Sequence, residues 1–230
     1  MIIAGGIIGG YSAKGVRASG DYLTRSGVAG LSDSKTGLLS FWMRRSSSTG
    51  LFIAYDGRFR IYGSSPYIEV IGMNSSGNLC LSLESTISSA PDVWYHALAA
   101  WDTSNASKCK MYVNGVDRTH LDTISNSNID YGNYGQFQIC GAGSSASYTG
   151  DLAEFYFTTA WADITDSSLR DRFSKNGRPV SLGPNGSKPT GTAPLIYLQG
   201  PASNWGVNAG TGGNFSVSGS FSDAATKPSY

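Results

Sequence analysis

The chain has 230 residues, of which 40% are apolar and 14% charged, with a formal net charge of +1. That apolar share suffices for one sizeable core, while a charged fraction well below the usual quarter leaves the surface to Ser, Thr, Asn and Gly. A charge near zero, with no basic run longer than Arg44-Arg45, excludes nucleic acid as the expected partner.

Residues 1 to 12, MIIAGGIIGGYS, are apolar and interrupted by glycine. They lack a basic start and a cleavage site, and they are far too short to span a bilayer, so synthesis in the cytoplasm without export or membrane insertion is expected. Two roles suit the segment: a first edge strand, or an arm that docks Ile2, Ile3, Ile7 and Ile8 on a neighbouring subunit. Each buried isoleucine would contribute roughly 1.5–3 kcal/mol. Residues 13 to 230 are expected to form a single sandwich.

Strand signals begin at Leu38 with LLSFWMR and continue through LFIAYD and RFRIY, joined at Asp56-Gly57, then YIEVIGM and NLCLSLE around a Ser/Gly turn. Short strands at this spacing predict an all-β sandwich. From Trp94 to Arg118 the pattern is nearly unbroken. An aromatic-bounded run leads to Cys109, Met111 and Val113 alternating with Lys108, Lys110 and Tyr112, and Asn114-Gly115 supplies a two-residue hairpin turn. After Leu121 a polar stretch to Gly135 reads as a long loop, and QFQICGAG and DLAEFYFT resume the strands. One short helix is predicted next, capped by Thr165 or Asp166, carrying Leu169 and Phe173 on one face and ended by Asn176-Gly177. Pro179, Pro184, Pro189 and Pro194 mark a crossover. PLIYL and NFSVSGSF then read as strands returning to the main sheets. Cys80, Cys109 and Cys140 match no zinc spacing and are expected to be buried free thiols.

Trp94, Tyr95, His96 and then Met111, Tyr112, Val113, Asn114 and Gly115 resemble the middle of the laminin-G-like, concanavalin A-like jelly rolls. A second block agrees: Ile139, Gly141, Gly150, Leu152, Glu154 and Phe155 stand at matching positions, with Ala153 in place of the usual Asp. The resemblance implies an all-β, concanavalin A-like jelly-roll β-sandwich with one short helix. A narrower resemblance lies at the two ends, Ala18 to Arg44 and Ala193 to Phe221, which are similar to jelly-roll proteins of tailed bacteriophages and prophages. It implies a non-enzymatic structural protein of the virion, on head or tail, homo-oligomeric, contacting other virion proteins and host-surface carbohydrate. The alternative is a carbohydrate-binding, lectin-like module.

No catalytic set is visible. Glu69, Glu84 and Glu154 do not form the carboxylate motif of glycosidases, and Asp151 and Glu154, three residues apart, are expected on opposite strand faces. His96 in its aromatic strand and His120 beside Asp117 and Asp122 are not placed as triad bases. Calcium is the one cofactor left open, with Asp21, Asp102, Asn105 and Asp151 as candidate ligands by their positions in the resembling family. For sugar recognition, an exposed aromatic should stack on the ring while amides and carboxylates take its hydroxyls. Tyr131, Tyr134 and Tyr148, with Asn128, Asp130 and Asn133, are the candidates.

Overall fold

The computed structural model describes residues 16–46, 52–63, 67–86, 90–132, 135–141 and 148–230. The candidate arm with Ile2, Ile3, Ile7 and Ile8 lies outside the described residues, as do Asn133 and Tyr134.

In chain order the strands are β1 (Val16–Ser19), β2 (Tyr22–Arg25), β3 (Thr36–Arg45), β4 (Phe52–Tyr55), β5 (Phe59–Gly63), β6 (Ile68–Met73), β7 (Leu79–Ser85), β8 (Tyr95–Asp102) and β9 (Lys110–Val113). They continue as β10 (Val116–Asp117), β11 (Thr119–Ile124), β12 (Phe137–Ile139), β13 (Thr149–Thr158), β14 (Ser174–Lys175), β15 (Arg178–Pro179), β16 (Ile196–Leu198), β17 (Ser216–Ser218) and β18 (Ser222–Asp223). A single helical turn, α1 (Ser167–Arg170), follows β13. The first sheet runs β10-β9-β8-β3-β13-β1-β18, with β16 also on β13, and the second runs β11-β7-β6-β5-β4-β12-β2-β17. The expected concanavalin A-like sandwich is therefore present, and the last strands do return to both sheets.

Turn chemistry sets the hairpins. Asn114 and Gly115 adopt φ of 52° and 76° between β9 and β10, the left-handed pair that a tight hairpin requires. At the β4–β5 corner, Asp56 Oδ1 accepts from the backbone N–H groups of Arg58 and Phe59, while Gly57 takes φ of 94°. Asn176-Gly177 corrects the expectation. The helix already ends at Arg170, and these residues, with φ of 51° and 70°, turn the β14–β15 hairpin instead. The loop expected after Leu121 also begins later, because β11 carries pairing with β7 through Ile124.

The inner faces of the two sheets enclose the main core, in which Phe59 packs 4.9 Å from Tyr131, 5.1 Å from Phe157 and 5.8 Å from Trp101. Gly37 lies so close beneath the Trp101 indole that a side chain there would evict it. Cys80, Cys109 and Cys140 are buried free thiols, as expected.

A third layer covers the outer face of the first sheet. Leu38, Leu98, Ala100, Tyr112, Tyr156 and Tyr197 pack there against Ile164, Phe173 and Leu182 of the segment that follows β13. This is why β8 is buried at every residue: both faces are dry, so its pattern is continuous rather than alternating. The C-terminal segment extends the cover, with Trp94 Nε1 donating to Thr226 and Tyr230 stacked 5.6 Å from Trp42. Asn208 ties the returning chain down. Its Oδ1 accepts from Tyr197 N and Gly210 N, and its Nδ2 donates to the carbonyls of Leu195 and Gly213.

Candidate functional site

Among the described residues the second sheet has no such cover. Its strands β5 and β6 alternate between buried and half-buried residues, the pattern of a sheet with one face in water. Pairing registers place Tyr62 opposite Glu69, Glu69 opposite Glu84, and Glu84 opposite His120. One lateral row thus crosses four strands on the open face, spanning about 14 Å at the usual strand spacing. A neighbouring row carries Arg60, Ile71, Ser82 and Thr123. Ser82 Oγ donates to Glu69 Oε1 at 3.2 Å. Partial burial raises the Glu69 carboxyl above its usual range, the charge of Glu84 raises it further, and the Ser82 hydroxyl opposes them. An amphipathic ring, paired carboxylates, an imidazole and a guanidinium on one open surface are the groups that stack on and hydrogen-bond to sugars.

This row was not singled out from the sequence, although the alternation in RFRIY and YIEVIGM marks Arg60, Tyr62, Glu69 and Ile71 as one face. Glu69 and Glu84 are far apart in sequence but directly opposed across β6 and β7.

The two tyrosines first nominated for stacking that are described here are core residues. Tyr131 and Tyr148 are both 0% exposed. Tyr131 accepts a 2.7 Å bond from Trp101 Nε1 and donates to Thr36 O, and Tyr148 donates to Asp151 O. Neither can present a face to a sugar. Asn128 is exposed and lines a polar depression of about 460 Å³ with Asp33, Lys35 and Asn74.

The four nominated calcium ligands are dispersed over separate local contacts. Asp21 accepts from Ser220 N, and Asp151 is buried against Arg44 at 2.6 Å. Asp102 pairs with Lys108 and accepts from Ser104, whereas Asn105 caps a 3-10 turn through Ser107 N. Asp151 and Glu154 do not take opposite faces as the spacing suggested. A β-bulge sets Glu154 and Phe155 against one residue of β3, with Glu154 at φ 51°, so the strand changes parity. Glu154 Oε2 consequently accepts from Tyr197 OH at 2.6 Å on the outer side, the face that also holds the Asp151–Arg44 pair.

A different acidic group forms at one end of the sandwich. The bridge between Ser34 and Ile129 brings Asp33 beside Asp130, and the β4–β5 turn adds Asp56. Arg58 Nη1 lies 3.6 Å from Asp130 Oδ2. Asp130 is 1% exposed, and both of its oxygens, like Asp56 Oδ2, lack a hydrogen-bond partner among the described residues. Burial pushes the Asp56 carboxyl up to about 7, with the charge of Asp130 adding to the rise and the backbone N–H groups of Phe59 and Arg58 opposing it. These are hard oxygen donors of the kind calcium takes. Among the described residues, however, no three His, Cys, Asp or Glu side chains lie close enough to form a metal-binding group, so backbone carbonyls would have to complete the shell.

Solved structures with the same architecture include a candidate carbohydrate binding protein from Bacteroides ovatus, with TM-score 0.68, 14% identity and 95% of this chain covered. This chain spans 62% of that protein's length. The heptameric SAP-like pentraxin from Limulus polyphemus matches with TM-score 0.58 and 13% identity over 93% of this chain and 95% of its own. The receptor binding domain of botulinum neurotoxin mosaic serotype C/D matches with TM-score 0.51 and 13% identity, over 73% of this chain and 44% of its own. At such identities the likeness concerns the fold alone. None of the curated proteins matches the chain. The sequence pattern of one family matches residues 17–163, well over half the length, and the chain belongs to that family, the concanavalin A-like lectin/glucanases superfamily.

Proposed function

We propose that this protein is a lectin-like, non-enzymatic carbohydrate-binding module that receives a glycan on the open face of its second sheet. The observation that carries the reading is the lateral row of Tyr62, Glu69, Glu84 and His120. Tyr62 is the stacking ring, and Glu69, Glu84 and Arg60 take the hydroxyls. Calcium is proposed as an optional occupant beside Asp33 and Asp130, outside the sugar row.

A glycan array followed by titration calorimetry tests this. Tyr62→Ala is expected to weaken binding at least tenfold, which is about 1.4 kcal/mol, while melting stays nearly unchanged because the ring lies on the solvent face. Failure of the native protein to bind any glycan, or binding indifferent to both Tyr62→Ala and Glu69→Gln, would remove the reading. Release of new reducing ends, lost in Glu69→Gln, would instead make the facing carboxylates a hydrolase pair.

The similarity of Ala18 to Arg44 and Ala193 to Phe221 to tailed-phage proteins supports a second element of the proposal. The module serves as a homo-oligomeric structural part of a virion, with its open face toward host-surface glycans. Mass spectrometry of purified particles from a strain encoding the chain is expected to find it at a stoichiometric level, and its absence from them overturns this role.

A further inference from the structure

A cavity of about 140 Å³ lies on the opposite side of the molecule, under the third layer. His96 and Tyr112 of the first sheet form its floor, Arg170 of α1 and Asn176 of the β14–β15 turn form its wall, and Tyr230 closes it. Tyr230 is held over the opening by a 2.9 Å bond from its N–H to Gly177 O and by its stack on Trp42.

We propose that this cavity binds a small carboxylate, with Arg170 as the bidentate donor and His96 as a buried partner. The volume limits the ligand. A cavity of about 150 Å³ holds one six-membered ring, well below the roughly 300–1,000 Å³ of a drug-sized site.

Arg170 is set for this task. Its guanidinium lies 4.2 Å over the Tyr112 ring, and its Nη1 donates to the carbonyls of Ile164 and Thr165 at 2.7 and 2.8 Å. Those contacts fix the plane while the Nε–Nη2 edge makes no bond among the described residues. That edge presents two parallel N–H groups, which match the two oxygens of a carboxylate. The acid at the mouth, Asp171, is paired with Lys175 at 3.5 Å, so it leaves the positive edge largely uncompensated.

His96 supplies the buried polar group. The residue is 3% exposed, its Nε2 lies 2.9 Å from Ser40 Oγ, and Nδ1 has no partner among the described residues although the ring lines the cavity. Burial lowers its pKa to about 3, so the imidazole is neutral at ordinary pH. When the Ser40 hydroxyl donates to Nε2, the ring proton must sit on Nδ1, and Nδ1–H then donates into the cavity. A carboxylate selects that tautomer.

The test is a side-chain NMR titration of the full chain with acetate and lactate, against the neutral twins acetamide and lactamide, at constant ionic strength. Saturable shifts of the His96 and Tyr112 rings are expected with the acids, and at least tenfold weaker affinity for the amides. Arg170→Gln should remove the preference for acid. Because Arg170 also anchors two carbonyls, Ser40→Ala serves as a second variant; it leaves the cavity wall intact and is expected to weaken acid binding several-fold by freeing the tautomer. Tyr62→Ala should leave acid binding unchanged, which separates this site from the glycan face. No saturable shift with either acid, equal affinity for acid and amide, or acid binding unaltered in both Arg170→Gln and Ser40→Ala would overturn the proposal.

Discussion

Tyr131→Ala is expected to destabilise the fold by about 3–5 kcal/mol, the range for removing a large buried aromatic side chain. The ring touches Phe59 and lies 5.7 Å from Phe157, and its hydroxyl ties the loop after β11 to the first sheet by bonding Trp101 Nε1 and Thr36 O. Truncation would leave a cavity and a buried indole N–H without a partner. Tyr131→Phe keeps the ring and should cost about 1–3 kcal/mol through that orphaned donor alone. In a chain of this size each kcal/mol lowers Tm by about 2–4 °C, so thermal and urea unfolding of the two variants resolve the effects. A loss under about 0.5 kcal/mol for the alanine variant is the behaviour of a surface residue and would return Tyr131 to the candidate binding surface.

Against His96, which is held neutral in the fold and adds stability as pH rises to about 6.5, Asp56 is expected to draw stability from the native protein between pH 4 and pH 8. In the folded chain its carboxyl is pushed up to about 7, whereas the unfolded chain releases that proton near 3.9. The folded state therefore holds the extra proton across this window. Its contribution is complete below about pH 4 and disappears as pH rises through 7. A shift of this size corresponds to at most about 4 kcal/mol. Asp56→Asn keeps an oxygen for the N–H groups of Arg58 and Phe59 and is expected to remove this loss, so that the stability difference between the variant and the native protein changes by up to about 4 kcal/mol from pH 4 to pH 8. Added calcium should recover part of the loss at pH 8 in the native protein but not in Asp130→Asn. Urea unfolding of the native protein and Asp56→Asn across the pH range decides the matter: a stability difference between them that does not change with pH would mean that Asp56 titrates normally and that the acidic end carries no latent charge repulsion.

The local code was read where local chemistry decides the outcome. Asn114-Gly115 and Asp56-Gly57 made hairpins because left-handed φ and an aspartate-capped turn are properties of neighbouring residues. The same logic misplaced Asn176-Gly177, since a helix stop and a hairpin turn ask for the same backbone and only the pairing of Ser174 with Pro179 separates them. Glu154 shows the limit more sharply. Strict alternation assigns it a face, but the bulge against β3 reverses the parity, and no residue type announces a bulge.

The candidate site divides in the same way. Tyr131 and Tyr148 sit among glycines, which suggested exposed loops, yet both rings fold into the sandwich: the Tyr131 hydroxyl accepts from Trp101 Nε1 and donates to Thr36 O, both far away in the chain, and the Tyr148 hydroxyl donates to the nearby Asp151 O. Glu69 and Glu84 looked unrelated because fifteen positions separate them; antiparallel pairing cancels that separation.

Sequence by itself determined the sandwich class, the strand runs, the tight turns and the buried thiols, because apolar periodicity and turn preference act over a few residues. Tertiary structure alone decided which sheet face stays open, which acids meet, and that a cavity lies under α1 and Tyr230. Those features depend on register and on how a third layer packs over one sheet, and both are settled by contacts between residues far apart in the chain.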